Sequence, residues 1–289
     1  SFINPTTKEP TFVPAKHYEN ILNKTENVEM IRFTGGEPLL CEKLPEYISR
    51  CHSKGFKTSI ITNGFILEEK IEELVKSGLD QIIISIDGSN AKLHNSLRGT
   101  KGLFEKIDRA LKKIIKEYPS LHTRVNTVVS EKNISNLADL AYWLDKHNVE
   151  QWSIIPIKLE GHKWSDKMAL EEFEQNYFNF KNAIKSCKIE LMGYSANWAD
   201  NIKLFWEGKD NIRPKGNCYI THMVAFYNPF TEHIYPCNCI PHRKKTFCSK
   251  QEEKEWYFKH GHEYCIGCEP LNAYCADFPE KIKENIFNF

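Results

Sequence analysis

Long apolar runs are missing from this 289-residue chain, and so is an excess of charge of either sign. No stretch approaches the roughly 18 consecutive apolar residues that mark a membrane-spanning helix, and no signal-peptide pattern opens the sequence. With 39 Lys and Arg against 38 Asp and Glu, the formal net charge is +1, so no basic excess favours nucleic acid. The composition therefore predicts a soluble, cytoplasmic protein that binds neither membranes nor nucleic acid.

A disulfide framework is not expected either, because a reducing cytosol disfavours one, yet the chain has ten cysteines. Three of them are scattered, at Cys41, Cys51 and Cys187, and we expect these to be thiols of the core. The other seven crowd into the last quarter of the chain, at Cys218, Cys237, Cys239, Cys248, Cys265, Cys268 and Cys275. In a cytosolic protein this crowding predicts a metal-dependent module.

Helix-like and strand-like periodicities alternate between residues 15 and 157. The predicted helices are 15–24, 41–54, 67–77, 101–117 and 134–147, and the predicted strands are 29–34, 56–62, 80–86, 122–129 and 149–157. Strict alternation predicts an α/β fold with a parallel sheet, and apolar runs such as QIIISI suggest burial on both faces of the strands. A sixth helix near 170–187 and a possible strand at 189–193 follow.

Glycines and small polar residues follow three consecutive predicted strands, as TGGEP (34–38), TNG (62–64) and SIDG (85–88). Ligands bind at the carboxyl ends of parallel strands, so these segments predict a binding site. In GGEP the glycines permit close backbone approach, Pro38 stiffens the corner, and Glu37 supplies a carboxylate suited to an amine. Taken alone, GGEP is equally compatible with an ordinary strand-to-helix turn that carries a solvated glutamate.

The ordered series GGEP, TNG, SIDG and HNSLRG, followed by a cysteine-rich C-terminal part, resembles the radical SAM superfamily. More narrowly, it is similar to the branch that carries a SPASM or twitch auxiliary iron–sulfur domain, and the likeness covers almost all of the chain. The resemblance implies a partial (β/α)6 barrel. It also implies a catalytic [4Fe–4S] cluster on a CxxxCxxC loop and S-adenosylmethionine as the second cofactor.

The resemblance places S-adenosylmethionine at the carboxyl ends of the strands. Gly35, Gly36 and Glu37 match the segment that binds the methionine amino group in the family. Ser85 and Asp87 match a position near the ribose or carboxylate. The whole expected set of cofactor-binding residues is Gly35, Gly36, Glu37, Pro38, Asn63, Ser85, Asp87, Arg98 and Asn126. His94 lies in the HNSLRG segment with Arg98, and we expect it to bind the cofactor or to have a structural role. No catalytic residue is predicted.

The motif for the catalytic cluster is missing, because no CxxxCxxC occurs and no cysteine precedes Cys41. The first strand of the barrel is missing as well. Two interpretations stay open: the cluster loop lies just upstream of Ser1, or the protein is a degenerate homologue that keeps the barrel as a scaffold. We favour the first, because a barrel without its first strand would expose the edge of the next one.

The C-terminal cysteines resemble a twitch domain, in which a hairpin has one cysteine near each end and a CxxC follows. The resemblance implies one auxiliary [4Fe–4S] cluster on Cys218, Cys237, Cys265 and Cys268. Possible substitute ligands are Cys239, Cys248 and Cys275. Four thiolates also suit structural zinc, and their spacing does not separate the two metals.

Three parts are predicted: a partial barrel at 1–160, a last barrel helix with a bridging segment at 161–216, and the auxiliary cluster domain at 217–289. The resemblance implies reductive cleavage of S-adenosylmethionine to a 5′-deoxyadenosyl radical, with a flavodoxin- or ferredoxin-type reductant. The radical would abstract a hydrogen atom from a small sugar or aminocyclitol, which is oxidised or epimerised. The alternatives are modification of a peptide or protein side chain, and a non-catalytic barrel with a structural iron–sulfur or zinc module.

Overall fold

The computed structural model describes most of the first two thirds of the chain and short pieces of the remainder. The described residues are 2–3, 10–11, 15–24, 28–157, 164–192, 206, 226–228, 233–235, 249, 251–252, 255–256 and 259. The chain forms two compact units. The first unit comprises residues 1–159 and 167–192, and the second comprises residues 160–166 and 193–289.

The first unit is built on a parallel six-stranded sheet in which neighbours along the chain are neighbours in space. Two short strands, β1 (Phe2–Ile3) and β2 (Pro10–Thr11), pair separately and antiparallel. The strands of the parallel sheet, in order, are β3 (Met30–Phe33), β4 (Lys57–Thr62), β5 (Gln81–Ser85), β6 (His122–Val129), β7 (Gln151–Pro156) and β8 (Glu190–Leu191). The predicted α/β fold with a parallel sheet is confirmed.

Helices connect the strands of the sheet. They are α1 (Ala15–Lys24), α2 (Leu44–Ser53), α3 (Leu67–Lys76), α4 (Ala91–Arg98), α5 (Leu103–Glu117), α6 (Leu137–Lys146) and α7 (Leu170–Lys185). Short 3-10 turns lie at Pro38–Leu40 and Ile134–Asn136. Within the described part of the chain, no helix combines the length and the apolar character that crossing a bilayer requires.

One face of the sheet is apolar and packs against the helices. Side chains on this face that have no solvent exposure include Ile60, Ile82, Ile84, Val125, Trp152 and Ile154. Helix α5 shows why the helices bind it, since its apolar residues recur every three or four positions and bury Ile107, Leu111 and Ile114. Cys51 of α2 is fully buried beside Tyr18 and Tyr47, as expected for a core thiol.

The opposite face of the sheet, which we call the polar face, carries mostly polar side chains. It includes Arg32, Ser59, Gln81, Ser85, Arg124, Asn126, Gln151 and Ser153, which occupy alternate positions in register across the strands. The expectation that the strands are buried on both faces holds for β5, where Ile82 and Ile83 are both fully buried. It holds also in β7, where Trp152, Ser153 and Ile154 are all buried although polar and apolar residues alternate. It is wrong for β6, where every second residue is half-buried or exposed.

Helix α4 was not among the predicted helices, although its sequence had been noted as HNSLRG. Its eight residues contain few apolar side chains, so helical periodicity is weak, and only His94 is fully buried. Capping compensates: the Asn90 side chain accepts a hydrogen bond from the Leu93 N–H. Gly99 ends the helix in the left-handed conformation, at φ 63°.

In the second unit, strands β9 (Phe226–Asn228) and β10 (His233–Tyr235) pair antiparallel. The hairpin predicted between Cys218 and Cys237 is thereby confirmed. A 3-10 turn at Trp164–Asp166 belongs to the same unit. All seven cysteines of the last quarter lie outside the described residues, so the predicted cluster ligands, and the predicted boundaries at 160 and 216, stay predictions.

Candidate functional site

Glu37 joins the ends of strands β3 and β4. It is 9 % exposed, and its carboxylate accepts hydrogen bonds from the Leu39 N–H at 3.1 Å and the Thr62 hydroxyl at 2.7 Å. Its other oxygen accepts from the Asn63 N–H at 2.8 Å. The solvated glutamate of the alternative interpretation is therefore wrong, because this carboxylate fastens the GGEP segment to the TNG segment.

The glycines of these segments have the conformations that only glycine adopts readily. Gly35 has φ 136° and Gly64 has φ 81°. Gly64 is also packed closely, since a Cβ atom there would lie 2.8 Å from Ile107 Cγ1. Gly35 and Gly36 are exposed, so their backbone groups are accessible to a ligand.

Replacing Gly64 with alanine should lower the free energy of unfolding by about 2 kcal/mol, through backbone strain and the contact with Ile107. The matched control is Gly99→Ala, where φ is also positive but no heavy atom lies within 4 Å of the new Cβ. That control should cost about 1 kcal/mol, from strain alone. Urea unfolding of both variants measures the difference, and equal losses would contradict the close approach to α5.

A row of hydroxyl and amide side chains crosses the polar face in register with Ser85, the last residue of β5. Ser85 of β5 pairs in register with Asn126 of β6, which pairs with Ser153 of β7. The Asn126 Oδ1 atom is buried and accepts no hydrogen bond from any described residue. A buried amide oxygen without a donor is costly, so this row is suited to a ligand that donates a hydrogen bond.

Asp87 lies after β5 at the centre of a second network. Its Oδ1 accepts a hydrogen bond from the Val128 N–H at 2.8 Å, and its Oδ2 forms a 2.6 Å ion pair with Arg98 Nε. Its backbone N–H donates to His94 Nδ1 at 3.0 Å, and its carbonyl accepts from the Asn133 side chain at 2.8 Å. Both carboxylate oxygens of Asp87 thus have partners within the chain.

Burial shifts the pKa values of the two titratable groups Asp87 and His94 in this network. Burial raises the pKa of the Asp87 carboxyl, although the positive charge of Arg98 and the Val128 N–H act in the opposite direction. Burial, together with the charge of Arg98, lowers the pKa of His94 to about 4. His94 is therefore neutral at pH 7, and because its Nδ1 accepts the Asp87 N–H, the proton is assigned to Nε2.

The structure thus sorts the predicted site residues into groups. Glu37 and Asn63 bond to each other through the Asn63 backbone, and Ser85 and Asn126 are register neighbours. Asp87 and Arg98 form an ion pair with each other. Pro38 is buried in the turn that follows Glu37.

Two residues that share these networks were missed from the sequence. Ser153 lies within WSIIP, where strand alternation was the available signal, since Trp152 and Ile154 flank it on the apolar face. Asn133 is 1 % exposed, and its side chain links the carbonyl of Asp87 to that of Val128. Nothing in the local sequence around Asn133 signals that long-range contact.

With this geometry established, comparison with known proteins identifies the domain. Residues 4–144 match the family model described as the radical SAM superfamily. The chain contains a radical SAM domain. The four segments GGEP, TNG, SIDG and HNSLRG all lie within the matched range. The hydrogen-bond partners of Glu37 and Asp87 lie within it as well, whereas Ser153 lies outside it.

Two curated relatives are enzymes that the chain matches over part of their length. An S-adenosylmethionine-dependent nucleotide dehydratase of Lacinutrix mariniflava is 31 % identical over 162 residues, which are 54 % of this chain and 33 % of that protein. A probable GTP 3′,8-cyclase of Methanococcus vannielii is 29 % identical over 170 residues, covering 52 % of this chain and 55 % of that protein. The chain thus spans between a third and just over half of these relatives.

Solved structures support the fold. The structure of Streptococcus suis SuiB bound to S-adenosylmethionine aligns with a TM-score of 0.58 at 19 % identity, covering 90 % of this chain and 64 % of that one. SuiB bound to its precursor peptide SuiA aligns with a TM-score of 0.56 at 18 % identity, covering 92 % and 65 %. At this level of identity the likeness concerns the architecture of the domain.

The radical SAM superfamily implies S-adenosylmethionine and a [4Fe–4S] cluster, and the described residues fit the first of these. The accessible glycines of GGEP follow β3, and the unsatisfied Asn126 oxygen lies in β6 of the same sheet, so both can accept from a ligand with amine and hydroxyl donors. Ligands for the catalytic [4Fe–4S] cluster are not found among the described residues. The described residues contain no group of three His, Cys, Asp or Glu side chains that could hold a metal, and the sequence has no CxxxCxxC.

Proposed function

We propose that this chain belongs to a radical SAM enzyme that abstracts a hydrogen atom from a polar small molecule, a sugar or aminocyclitol, and oxidises or epimerises it. The row Ser85–Asn126–Ser153, within or beside a radical SAM domain, carries the proposal, because it offers hydroxyl and amide groups on the polar face, in register with the carboxyl end of β5. S-adenosylmethionine, when bound beside a reduced [4Fe–4S] cluster, supplies the 5′-deoxyadenosyl radical.

The residues of the chain act here by binding and orientation. The backbone of Gly35 and Gly36 is positioned to receive the methionine amino group, and Glu37 holds that backbone in place through its bonds to the next loop. Ser85 and Asn126 are positioned for the hydroxyl donors of a ribose or a substrate. Holding both reactants in one geometry is the main contribution a protein makes to cofactor chemistry.

The polar face supports a hydroxyl-rich substrate. Beyond Ser85, Asn126 and Ser153 it carries the amides of Gln81 and Gln151, whose side chains hydrogen bond to each other at 3.5 Å. Such groups match the alternating donors and acceptors of a sugar. A polypeptide substrate is the second candidate, since SuiB, which shares the architecture, has been solved with a precursor peptide bound.

The cysteine-rich second unit completes the proposal. We infer that Cys218, Cys237, Cys265 and Cys268 bind one auxiliary [4Fe–4S] cluster, which would accept an electron from the substrate radical or position the substrate. The hairpin β9–β10 between the first two of these cysteines supports the assignment. A flavodoxin or ferredoxin is the proposed donor to the catalytic cluster.

Anaerobic iron and sulfide analysis with EPR on the full-length gene product tests the proposed function. We expect about eight iron atoms per chain, four for each cluster, and a reduced-cluster signal that shifts when S-adenosylmethionine is added. Asn126→Ala should weaken the shift while the iron content stays the same. The matched control is Asn179→Ala, at an exposed position of α7.

Other results would contradict the proposal. About four iron atoms with no effect of S-adenosylmethionine, or zinc in place of iron, would indicate a non-catalytic barrel with a structural metal module. An unaltered EPR shift in Asn126→Ala would place the cofactor away from the row on the polar face.

A further inference from the structure

Arg32 stands on the polar face beside the GGEP segment. It is the third of the four residues of β3 and precedes Gly35 by three positions. Register pairing with Ser59 places its side chain on the same face as the row Ser85–Asn126–Ser153. It therefore stands near the carboxyl end of its strand, which is where ligands bind in this class of fold.

The hydrogen-bond partners of Arg32 among the described residues are neutral. Its Nε donates to the Ser59 hydroxyl at 3.3 Å, and its Nη2 donates weakly to the Met30 sulfur at 3.8 Å. The Ser59 hydroxyl in turn donates to Gln81 Oε1 at 3.0 Å. Because the proton of Ser59 is used in this way, its oxygen is turned to accept from Arg32, which fixes the orientation of the guanidinium group.

Three other described arginines have carboxylate partners, whereas Arg32 pairs with no described carboxylate. Arg50 pairs with Glu19 and Glu46, Arg98 with Asp87, and Arg109 with Glu68. Within the part of the chain that the structure describes, no ion pair involves Arg32. A guanidinium group has five N–H donors arranged to match a carboxylate or a phosphate, so Arg32 can bind such a group in addition to Ser59.

The surroundings of Arg32 also favour an anion. Desolvation by the neighbouring protein lowers its pKa, although its side chain stays accessible to solvent. The guanidinium group is therefore partly desolvated and still accessible to a ligand. A partly desolvated cation without a counter-charge among the described residues is destabilised, and an anionic ligand would remove that cost.

Among the described strand residues of the polar face, basic side chains outnumber acidic ones. Lys57 and Arg124 share the face with Arg32, and Arg124 donates a hydrogen bond to the Ser153 hydroxyl. The acidic residue of the described strands on this face is Glu190 of β8, which accepts a hydrogen bond from Gln151 at 2.9 Å. Because β8 is five strands away from β3, Glu190 is too distant to neutralise Arg32.

We infer that Arg32 is a specificity-determining residue that binds a carboxylate or phosphate group of the substrate. The inference rests on the proposed function, since it concerns the substrate of the same site. It narrows the substrate to an anionic molecule, such as a sugar acid or a phosphorylated sugar. The polar row would bind its hydroxyl groups, and Arg32 would set its orientation relative to the GGEP segment.

Calorimetric titration of the full-length protein with pyrophosphate and with malonate tests this inference. We expect both probes to bind, and Arg32→Met to weaken the preferred probe about tenfold or more, because a charge-assisted pair is lost. Preference for pyrophosphate would indicate a phosphorylated substrate, and preference for malonate a carboxylated one. Arg50→Met, which removes an exposed arginine of α2, is the matched control and should bind both probes like the wild type.

Two further variants keep the test decisive if Arg32→Met does not fold. Arg32→Lys keeps the charge without the forked donors and should show an intermediate loss. Ser59→Ala removes the hydroxyl that orients the guanidinium group and should weaken the probe several-fold. Equal affinity in the wild type and in all three variants would overturn the inference.

The affinity for S-adenosylmethionine, measured on the same variants, separates the two proposals. If Arg32→Met weakened S-adenosylmethionine more than either probe, Arg32 would belong to the cofactor, and the inference would be wrong. If the affinity for either probe depended on Arg32 while EPR showed no effect of S-adenosylmethionine, the anion site would be supported and the proposed radical function would be contradicted.

Discussion

Glu37→Ala is expected to lower the free energy of unfolding by about 3 kcal/mol. The substitution removes the acceptor of three hydrogen bonds, from the Leu39 N–H, the Thr62 hydroxyl and the Asn63 N–H. Donors that lose a buried carboxylate keep the full cost of their desolvation, and water compensates for only part of it. Urea unfolding with a linear extrapolation measures the loss.

Glu42→Ala is the matched control for Glu37→Ala, because Glu42 is an exposed residue five positions further along the chain. Its loss should stay within about 0.5 kcal/mol. Glu37→Gln should lie between the two variants, because the amide keeps one acceptor but turns a donor toward another donor. If Glu37→Ala were no less stable than Glu42→Ala, the carboxylate would not fasten the two loops.

Arg98→Met is expected to cost about 2–4 kcal/mol at pH 7, because it leaves the buried Asp87 carboxylate without its cation. The lower bound reflects the partial exposure of the Arg98 side chain, which is 29 % accessible. Asp87→Asn combined with Arg98→Met should recover part of the loss, since it removes the uncompensated charge and keeps an acceptor for the Val128 N–H.

The pH dependence of Arg98→Met follows from the pKa of Asp87. Burial already raises that pKa, and removing the arginine removes an opposing influence, so the folded variant binds a proton more tightly than its unfolded chain does. Protonation then stabilises the folded state, and the deficit relative to the wild type shrinks as the pH falls from 7 toward the raised pKa. Removing Arg98 also removes one cause of the lowered pKa of His94, so the variant loses less stability than the wild type when acid protonates His94, and this effect has the same sign. A deficit that grew on acidification would contradict the buried ion pair.

The two tests address different halves of the proposed cofactor site. Glu37 holds the GGEP and TNG segments together, whereas Asp87 and Arg98 join the end of β5 to α4 and to the end of β6. These side chains bond mainly to groups of the protein and so hold the loops of the site in place. The atoms left for a ligand are the exposed glycine backbone and the Asn126 oxygen.

Local patterns determined the elements of the fold and the places where chemistry is found. Alternating apolar periods predicted the six main helices and five of the six strands of the sheet, with a possible sixth, because each pattern reflects the contacts of its own element. Glycine and proline at the strand ends predicted the loops for the same reason. The positive φ angles at Gly35 and Gly64 are set by the turn in which each residue lies.

Tertiary structure alone decided which groups meet. The burial of Glu37 depends on Thr62 and Asn63, about 25 positions away, and that of Asp87 depends on Val128 and Asn133, more than 40 positions away. The polar character of one sheet face, including the exposure of Arg32 on it, depends on register, because a slip by one residue moves every side chain of a strand to the other face. The sequence by itself determined the radical SAM motifs and their order, while register and burial decided which of their side chains hold the loops and which remain for a ligand.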